Sequence, residues 1–488
     1  MLRIEGILLI LAVIYYIVII AVVVKVLLEN RKPVYSAALI GMLVVFPVIG
    51  LILFLFLAYK MNKSTFVSKK WHKERQKISL WKAEMYSTIE HTTSTKRNSP
   101  FKEWNKIINM LYLFDNASPT YHNDVKLLIN GEDFFHNLIN DIKNAKKHIH
   151  LEFYIFDNDD IGQEIINLLI QKVKEGVKVR FIIDSFGSRS INKEMFKLLK
   201  DNNIEVFSFL PLFTPKLFRY VNIRDHRKLV VIDGEIAYTG GINIADRYRN
   251  NGNQRNKRFW RDTAVRVCGN SVKSFQLQFF NIWKFVSKQT DDFEAEIFSG
   301  DLTTEKECIV QLVDSGPDSE YQSILNTFFI AITNAEKEIL IQTPYFSPPD
   351  EIIMALKNAA LSGVEVVIII PEKSDSKIAS YSTNSYIDNL ASVGVKFYIY
   401  KKGFLHSKVT LVDNSLSTVG STNYDYRSFF SNYELNAVFY DKHFNTEMRK
   451  MFFEDLKNCE ELVLADWKKR PIMTKIKESV CRLFAPLL

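Results

Sequence analysis

Two segments far apart in the chain carry the same residue types at the same spacing: His226, Lys228 and Asp233 in HRKLVVID, and His406, Lys408 and Asp413 in HSKVTLVD. Each reads His-x-Lys-x4-Asp. The step from 226 to 406, from 228 to 408 and from 233 to 413 is 180 in every case, and Asn423 follows Asn243 by the same interval. A chemistry-bearing element is therefore duplicated. The residue types suit phosphodiester chemistry. A neutral imidazole can attack phosphorus, a protonated imidazole can protonate a leaving oxygen, and ammonium groups can hold the phosphate charge. One copy supplies half of that set, so the elements around the motifs must bring both together.

Those elements repeat as well. AKKHIHLEFYIFDND followed by GQEIINLLIQKVKEGVKVRFIID, and AEKEILIQTPYFSPPD followed by EIIMALKNAALSGVEVVIII, each read strand, helix, Gly, strand. The β-branched runs 177–183 and 364–370 read as parallel strands covered on both faces, which predicts an α/β sandwich in each half. After each motif a strand pair leads to Gly240, Gly241 and Asn243, or to Gly420, Ser421 and Asn423. The expected organisation is an amino-terminal hairpin (1–60), a basic juxtamembrane connector (61–115), a first half (116–290) and a second half (306–488), with an acidic and polar linker near 286–305.

The 488 residues, 47% hydrophobic and 24% charged, can bury a core larger than one ordinary domain. The net charge of +8 favours an anionic partner, either nucleic acid or an acidic membrane surface. Cys268, Cys308, Cys459 and Cys481 have no CxxC pairing or neighbouring His at metal spacing, so neither a zinc site nor a disulfide framework is expected.

The amino terminus decides between the partners. Ile7 to Val24 and Tyr35 to Tyr59 are uncharged stretches, each long enough for a bilayer core of roughly 30 Å, and together they predict a transmembrane hairpin. A cleaved signal peptide fits poorly, because the start is only weakly basic and a second span follows directly. Lys60, Lys63, Lys69, Lys70, Lys73, Arg75 and Lys77 crowd the exit of the second span, which places the large domain on the cytoplasmic side of a multi-pass plasma-membrane protein.

Duplicated His-x-Lys-x4-Asp, each copy followed by a Gly-Gly or Gly-Ser turn and an Asn, resembles the phospholipase D superfamily. SGPD at 315–318, TPYFSPPD at 343–350, FWRDTAVRVCG at 259–269, the terminal CRLFAPLL and the hairpin are similar to the bacterial cardiolipin synthases within it. The resemblance implies two phospholipase D-like halves forming one pseudo-symmetric unit, with both motifs in one cleft. It implies a reaction without metal or other cofactor: a histidine attacks one phosphatidylglycerol, glycerol leaves, and a second phosphatidylglycerol takes the phosphatidyl group to give cardiolipin. On that reading His226 is the nucleophile and His406 the acid and base. Lys228, Lys408, Asn243, Asn423 and Ser421 would contact the phosphoryl group, and Asp262 and Glu434 would each orient a histidine. Asp233 and Asp413 complete the motifs but follow buried-looking runs, which assigns them to support of the cleft.

The partners implied are phosphatidylglycerol and cardiolipin in the bilayer. No nucleic acid is expected and no oligomeric state is implied. Phospholipid hydrolysis is the alternative, a membrane-tethered nuclease the third reading, and an inactive lipid-binding scaffold is disfavoured by the intact histidines and lysines. The Phe- and Leu-rich segment 207–224 reads equally as a membrane-dipping lip or a buried loop. Arg247, Arg249, Arg255, Lys257 and Arg258 form a basic loop, and Tyr345 and Phe346 are candidates for packing or for a substrate wall.

Overall fold

The computed structural model describes residues 2–28, 33–46, 102–210, 222–250, 258–288, 302, 304–319 and 321–487. The chain divides into two compact units, Met1–Thr65 and Phe66–Leu488.

In the first unit the helices Leu2–Leu28 and Pro33–Val45 meet through Ile19, Val26, Leu39 and Leu43. Among the described residues no helix is long and apolar enough to cross a membrane. Within Leu2–Leu28, apart from Gly6, side chains are described only from Val13 onward, and the second expected span is described only as far as Phe46. The basic cluster 60–77, the middle of the 207–224 segment, Arg255, Lys257 and most of the linker near 286–305 lie outside the described residues.

The second unit is built on one fifteen-stranded sheet. From its centre the first half runs Thr120–Ile129, Thr263–Gly269, Ile236–Gly240, Lys228–Ile232, His148–Phe153, Lys178–Asp184 and Glu205–Phe209. The second half runs the other way in the equivalent order: Cys308–Ser315, Glu434–Tyr440, Leu416–Gly420, Val409–Val412, Glu338–Gln342, Glu365–Pro371 and Lys396–Tyr400, with Cys459–Glu461 added at the edge. The halves join where Thr120 and Asn123 pair antiparallel with Val310 and Cys308. The two expected α/β halves thus form one unit through a shared sheet, a continuity that the periodicity within each half does not encode.

Local sequence explains the repeated unit. In the helix Asp160–Lys174, Asp159 caps the start by accepting from the Gly162 N–H at 3.2 Å. Ile161, Ile165, Ile166 and Leu169 fall on one face and are buried against the sheet, each contributing roughly 1.5–3 kcal/mol. Gly176, at φ 92°, turns the chain into the strand Lys178–Asp184, which is buried beyond its first residue and parallel to His148–Phe153. The second half repeats this with Ile352, Ala355, Leu356 and Ala359, then Gly363 at φ 91° and the strand Glu365–Pro371. The helix Asn105–Asp115, in the stretch read as connector, packs Ile107 and Leu111 into the second half's core. Beside it, Trp104 donates its indole N–H to Ser415 Oγ at 2.9 Å.

Candidate active site

Each motif histidine stands just before a central strand, and its backbone is held by the other half. The His226 N–H donates to the Tyr433 carbonyl at 2.9 Å, and the His406 N–H donates to the Arg261 carbonyl at 2.7 Å. A parallel strand pair aligns Gly403–Leu405 with Phe259–Arg261, and a bridge aligns Asp225 with Tyr433. In both places the next residue of the partner segment is a carboxylate, Asp262 or Glu434. Sheet register makes these two equivalent: Gly240 pairs with Ala264 and Gly420 with Asn436, so each carboxylate lies two residues before the partner of its glycine.

The carboxylates exchange partners across the pseudo-symmetry. Glu434, from the second half, places both oxygens 3.0 Å from His226 Nδ1, and Asp262, from the first half, places Oδ2 2.7 Å from His406 Nδ1. A carboxylate at Nδ1 fixes the tautomer that carries its proton there, leaving Nε2 for chemistry. His226 and His406 both line one cavity of about 420 Å³. Aromatic rings wall them in: Tyr154 lies edge-on to His226 with centroids 5.0 Å apart, and Trp260 and Tyr248 lie 5.6 and 5.8 Å from His406.

Burial dominates the electrostatics. It lowers His226 to about 4, with Glu434 opposing and Lys228 reinforcing the shift, and lowers His406 well below its ordinary value with help from Lys408 and Lys228. Both rings are therefore neutral near pH 7. Burial brings Lys228 down to about 7 and Lys408 to about 8, and neither lysine is among the described residues of the cavity wall. Each lysine donates to the carbonyl of its own motif histidine, and Lys408 Nζ is also 3.0 Å from His406 Nδ1. The orienting carboxylates differ. Burial pushes Asp262 up to about 6, against Lys408 and the Thr263 N–H. Glu434 is held below its ordinary value, because the charges of His226 and Lys228 and the hydrogen bonds from His226 and Ser421 outweigh burial.

Asn243 and Asn423 line the cavity. Asn243 accepts from the Ile155 N–H at 3.1 Å and donates to Tyr248 Oη at 2.8 Å, while Asn423 Oδ1 has no hydrogen-bond partner among the described residues. One motif residue, Ser421, sits elsewhere than the substrate-contact reading implied, while Asp233 and Asp413 take the supporting place expected of them. Ser421 is fully buried and donates to Glu434, so its hydroxyl supports a carboxylate and is not part of the cavity wall. Its counterpart Gly241 packs against the other orienting carboxylate: a Cβ there would lie 2.2 Å from Asp262 Oδ1.

Asp233 and Asp413 lie at the far ends of their strands, five residues or roughly 16 Å of extended chain past the lysines. Asp233 accepts from the N–H groups of Lys146, Lys147 and His148 at 2.7–2.9 Å, and Asp413 from those of Glu336, Lys337 and Glu338 at 2.8–3.1 Å. Both have positive φ, 56° and 52°. They tie the strand beside each motif strand in place and do not touch the cavity.

The cavity also contains groups that the motifs did not single out, among them Tyr154, Asp375 and Arg427. A signal for the arginine was present, since Arg247 and Arg427 each follow a cavity asparagine by four residues and both line the cavity. Tyr345 lines it too and donates to Asp375 Oδ1 at 2.6 Å, whereas Phe346 is core. The 180-residue offset from Asp375 falls on Met195, which is not a carboxylate, so spacing missed it.

A family model described as "Cardiolipin synthase, PLD-like domain" matches residues 138–276 and 328–456. The cardiolipin synthase of Geobacillus sp. (strain WCH70) is 36% identical over 462 residues, covering 94% of this chain and 90% of that protein. That of Clostridium perfringens (strain 13 / Type A) is 35% identical over 466 residues, covering 94% and 96%. Among solved structures, phosphatidylserine synthase from Haemophilus influenzae Rd KW20 overlays with a TM-score of 0.60 at 16% identity, over 78% of this chain and all of that one, a likeness of fold. With both halves matched and relatives alike over nearly its whole length, the chain belongs to the cardiolipin synthase family of PLD-like proteins.

Proposed function

We propose that this protein is a phosphatidyltransferase that makes cardiolipin and glycerol from two phosphatidylglycerol molecules through a phosphatidyl-histidine. The observation that carries the reading is the convergence of two imidazoles, each held by the other half's carboxylate, on one cavity. His226 Nε2 attacks phosphorus while protonated His406 gives its proton to the departing glycerol oxygen. His406 then removes the proton from a hydroxyl of the second phosphatidylglycerol, that oxygen attacks phosphorus, and His226 leaves. Splitting one displacement in two spares each step an unassisted alkoxide departure.

Two features support this division of roles. Glu434 remains anionic beside His226 and can stabilise the cationic ring formed on attack. Asp262, raised to about 6 beside His406, suits a site that takes and returns a proton. Arrival of the phosphate anion raises His406 and both lysines, charging the ring in the cavity wall and the ammonium groups beside the motif histidines. Lys228, Lys408, Asn243, Asn423, Arg247 and Arg427 stabilise the five-coordinate phosphorus. The carboxylate of Asp375 and the amide oxygen of Asn423 are acceptors for glycerol hydroxyls.

Lipid substrates place the enzyme at a bilayer. The apolar stretches Ile7 to Val24 and Tyr35 to Tyr59 anchor it as a multi-pass plasma-membrane protein with the catalytic unit on the cytoplasmic side, the side given by the lysines after residue 59. The test is turnover of phosphatidylglycerol in mixed micelles with DNA also present, followed by product mass. Cardiolipin with stoichiometric glycerol is expected. Phosphatidic acid alone would mean hydrolysis, cleaved DNA with untouched lipid a nuclease, and no product an inactive scaffold.

A further inference from the structure

The helix Ile472–Arg482 is inside out. Ile472, Met473, Ile476, Val480, Leu483 and Phe484 are 48–76% exposed, and at about 100° per residue all six fall within an arc of roughly 120°. The opposite side is the one packed onto the helix Lys377–Ala391, and it is polar. Glu478 is buried there, Arg470 pairs with it at 3.0 Å, and Arg470 also reaches Asp388 at 3.2 Å. A helix at a protein surface normally buries its apolar side and exposes its polar one. This one does the reverse, which exposes an apolar patch that water disfavours.

Charge identifies what covers the patch. Besides the paired Arg470, the chain between Lys468 and Phe484 carries Lys468, Lys469, Lys475, Lys477 and Arg482 with only the buried Glu478 as carboxylate, Lys469 reaching Asp466 just before it at 2.8 Å. An apolar stripe edged with cations fits the headgroup and acyl boundary of an anionic bilayer, where the apolar side chains enter the lipid and the basic ones meet phosphates. Position fits as well. The supporting helix Lys377–Ala391 begins at the cavity, since its cap Ser376 and its Ala379 are in the cavity wall. Just past the apolar stripe, Ala485–Leu487 packs against Tyr426–Phe430, the short helix that carries the cavity residue Arg427.

We propose that the carboxy-terminal helix is an in-plane anchor that seats the catalytic cavity on an anionic lipid surface. The proposal rests on the lipid-transferase reading for its purpose, and it is tested in two ways. Full-length protein is reconstituted in phosphatidylglycerol-containing bilayers, and turnover there is compared with turnover of a monomeric short-chain phosphatidylglycerol in solution. For Ile472→Ser/Ile476→Ser/Leu483→Ser, bilayer turnover is expected to fall at least tenfold with short-chain turnover within twofold of the parent. Unchanged bilayer turnover overturns the proposal, and so does an equal fall on both substrates, which would mean that the helix acts through the fold.

The second readout is independent of catalysis. The tryptophan added by Ile476→Trp is expected to be quenched by lipids brominated on their acyl chains, and absence of quenching overturns the anchor. Were the parent to make no cardiolipin at all, quenching would still support the anchor while the transferase reading fell.

Discussion

Glu434, in the second half of the chain, holds Nδ1 of His226, in the first, with both carboxylate oxygens at 3.0 Å. Asp262 returns the arrangement, reaching Nδ1 of His406 at 2.7 Å. Each half thus contributes a histidine that it cannot orient and a carboxylate that it does not use. A single half would present an imidazole free to choose the wrong tautomer, so the chemistry belongs to the pair.

Replacing either carboxylate by its amide tests that dependence. Glu434→Gln and Asp262→Asn keep shape but can present an N–H to Nδ1, which favours the tautomer with its proton on Nε2. Each is expected to lower kcat by roughly 10²–10⁴ with smaller changes in KM. Steady-state kinetics beside circular dichroism checks this. Near-parental kcat in either variant would show that the carboxylates are ordinary buried partners.

The lysines set the alkaline limit. Burial favours their neutral form, so in the free enzyme Lys228 is charged below about 7 and Lys408 below about 8, and each loses its hold on phosphate as pH rises through those values. The expected kcat/KM profile falls between pH 7 and 8. A bound phosphate raises both groups, so the corresponding fall in kcat comes at higher pH. Rates measured from pH 5 to 10 decide the matter, and a kcat/KM level up to pH 10 contradicts it.

The one-sided Gly-Ser difference predicts unequal mutants. At Gly241 a Cβ would meet Asp262 Oδ1 at 2.2 Å, so Gly241→Ala displaces the carboxylate that orients His406. Its activity is expected to fall by two orders of magnitude or more. Ser421→Ala removes one donor to Glu434 while His226 and Asn432 remain. A charged hydrogen bond worth about 1.5–2 kcal/mol implies a fall of roughly ten- to thirtyfold. Equal losses in a side-by-side assay would remove the distinction.

Asp233 and Asp413 belong to stability. Each accepts three backbone N–H groups at the start of a central strand. Asp233→Ala or Asp413→Ala leaves those donors without their carboxylate and is expected to cost about 2–4 kcal/mol. Thermal denaturation should show a lowered Tm, while kcat per folded molecule stays within a few fold of the parent. A large loss of kcat at unchanged Tm would place these residues in the chemistry after all.

Much of this was legible in the chain because the chemistry is duplicated. A 180-residue offset identifies the histidines, lysines and asparagines without reference to any fold, and the helix, Gly, strand rhythm around 176 and 363 gives the repeated α/β unit. The same offset links Arg247 to Arg427, but among so many basic residues the pair is not conspicuous. The exchange of carboxylates was not legible. Asp262 and Glu434 fall out of the 180 register, and only strand pairing makes them equivalent. Ser421 looked like a substrate contact because sequence reports a hydroxyl next to a motif and not the direction in which it donates. The join at Thr120 and Val310 is likewise a long-range edge pairing that no local period encodes.

The most direct test of two histidines acting on one phosphorus is the stoichiometry of the covalent intermediate. The full-length enzyme is mixed with a dialkyl-ether phosphatidylglycerol, whose chains survive alkali, quenched in alkali to preserve a phosphorus–nitrogen bond, and weighed intact. The account predicts at most one phosphatidyl group per chain, on His226, absent from His226→Ala and accumulating without glycerol exchange in variants that slow the second step. Two phosphatidyl groups on one chain, or turnover surviving in either His226→Ala or His406→Ala, would contradict it.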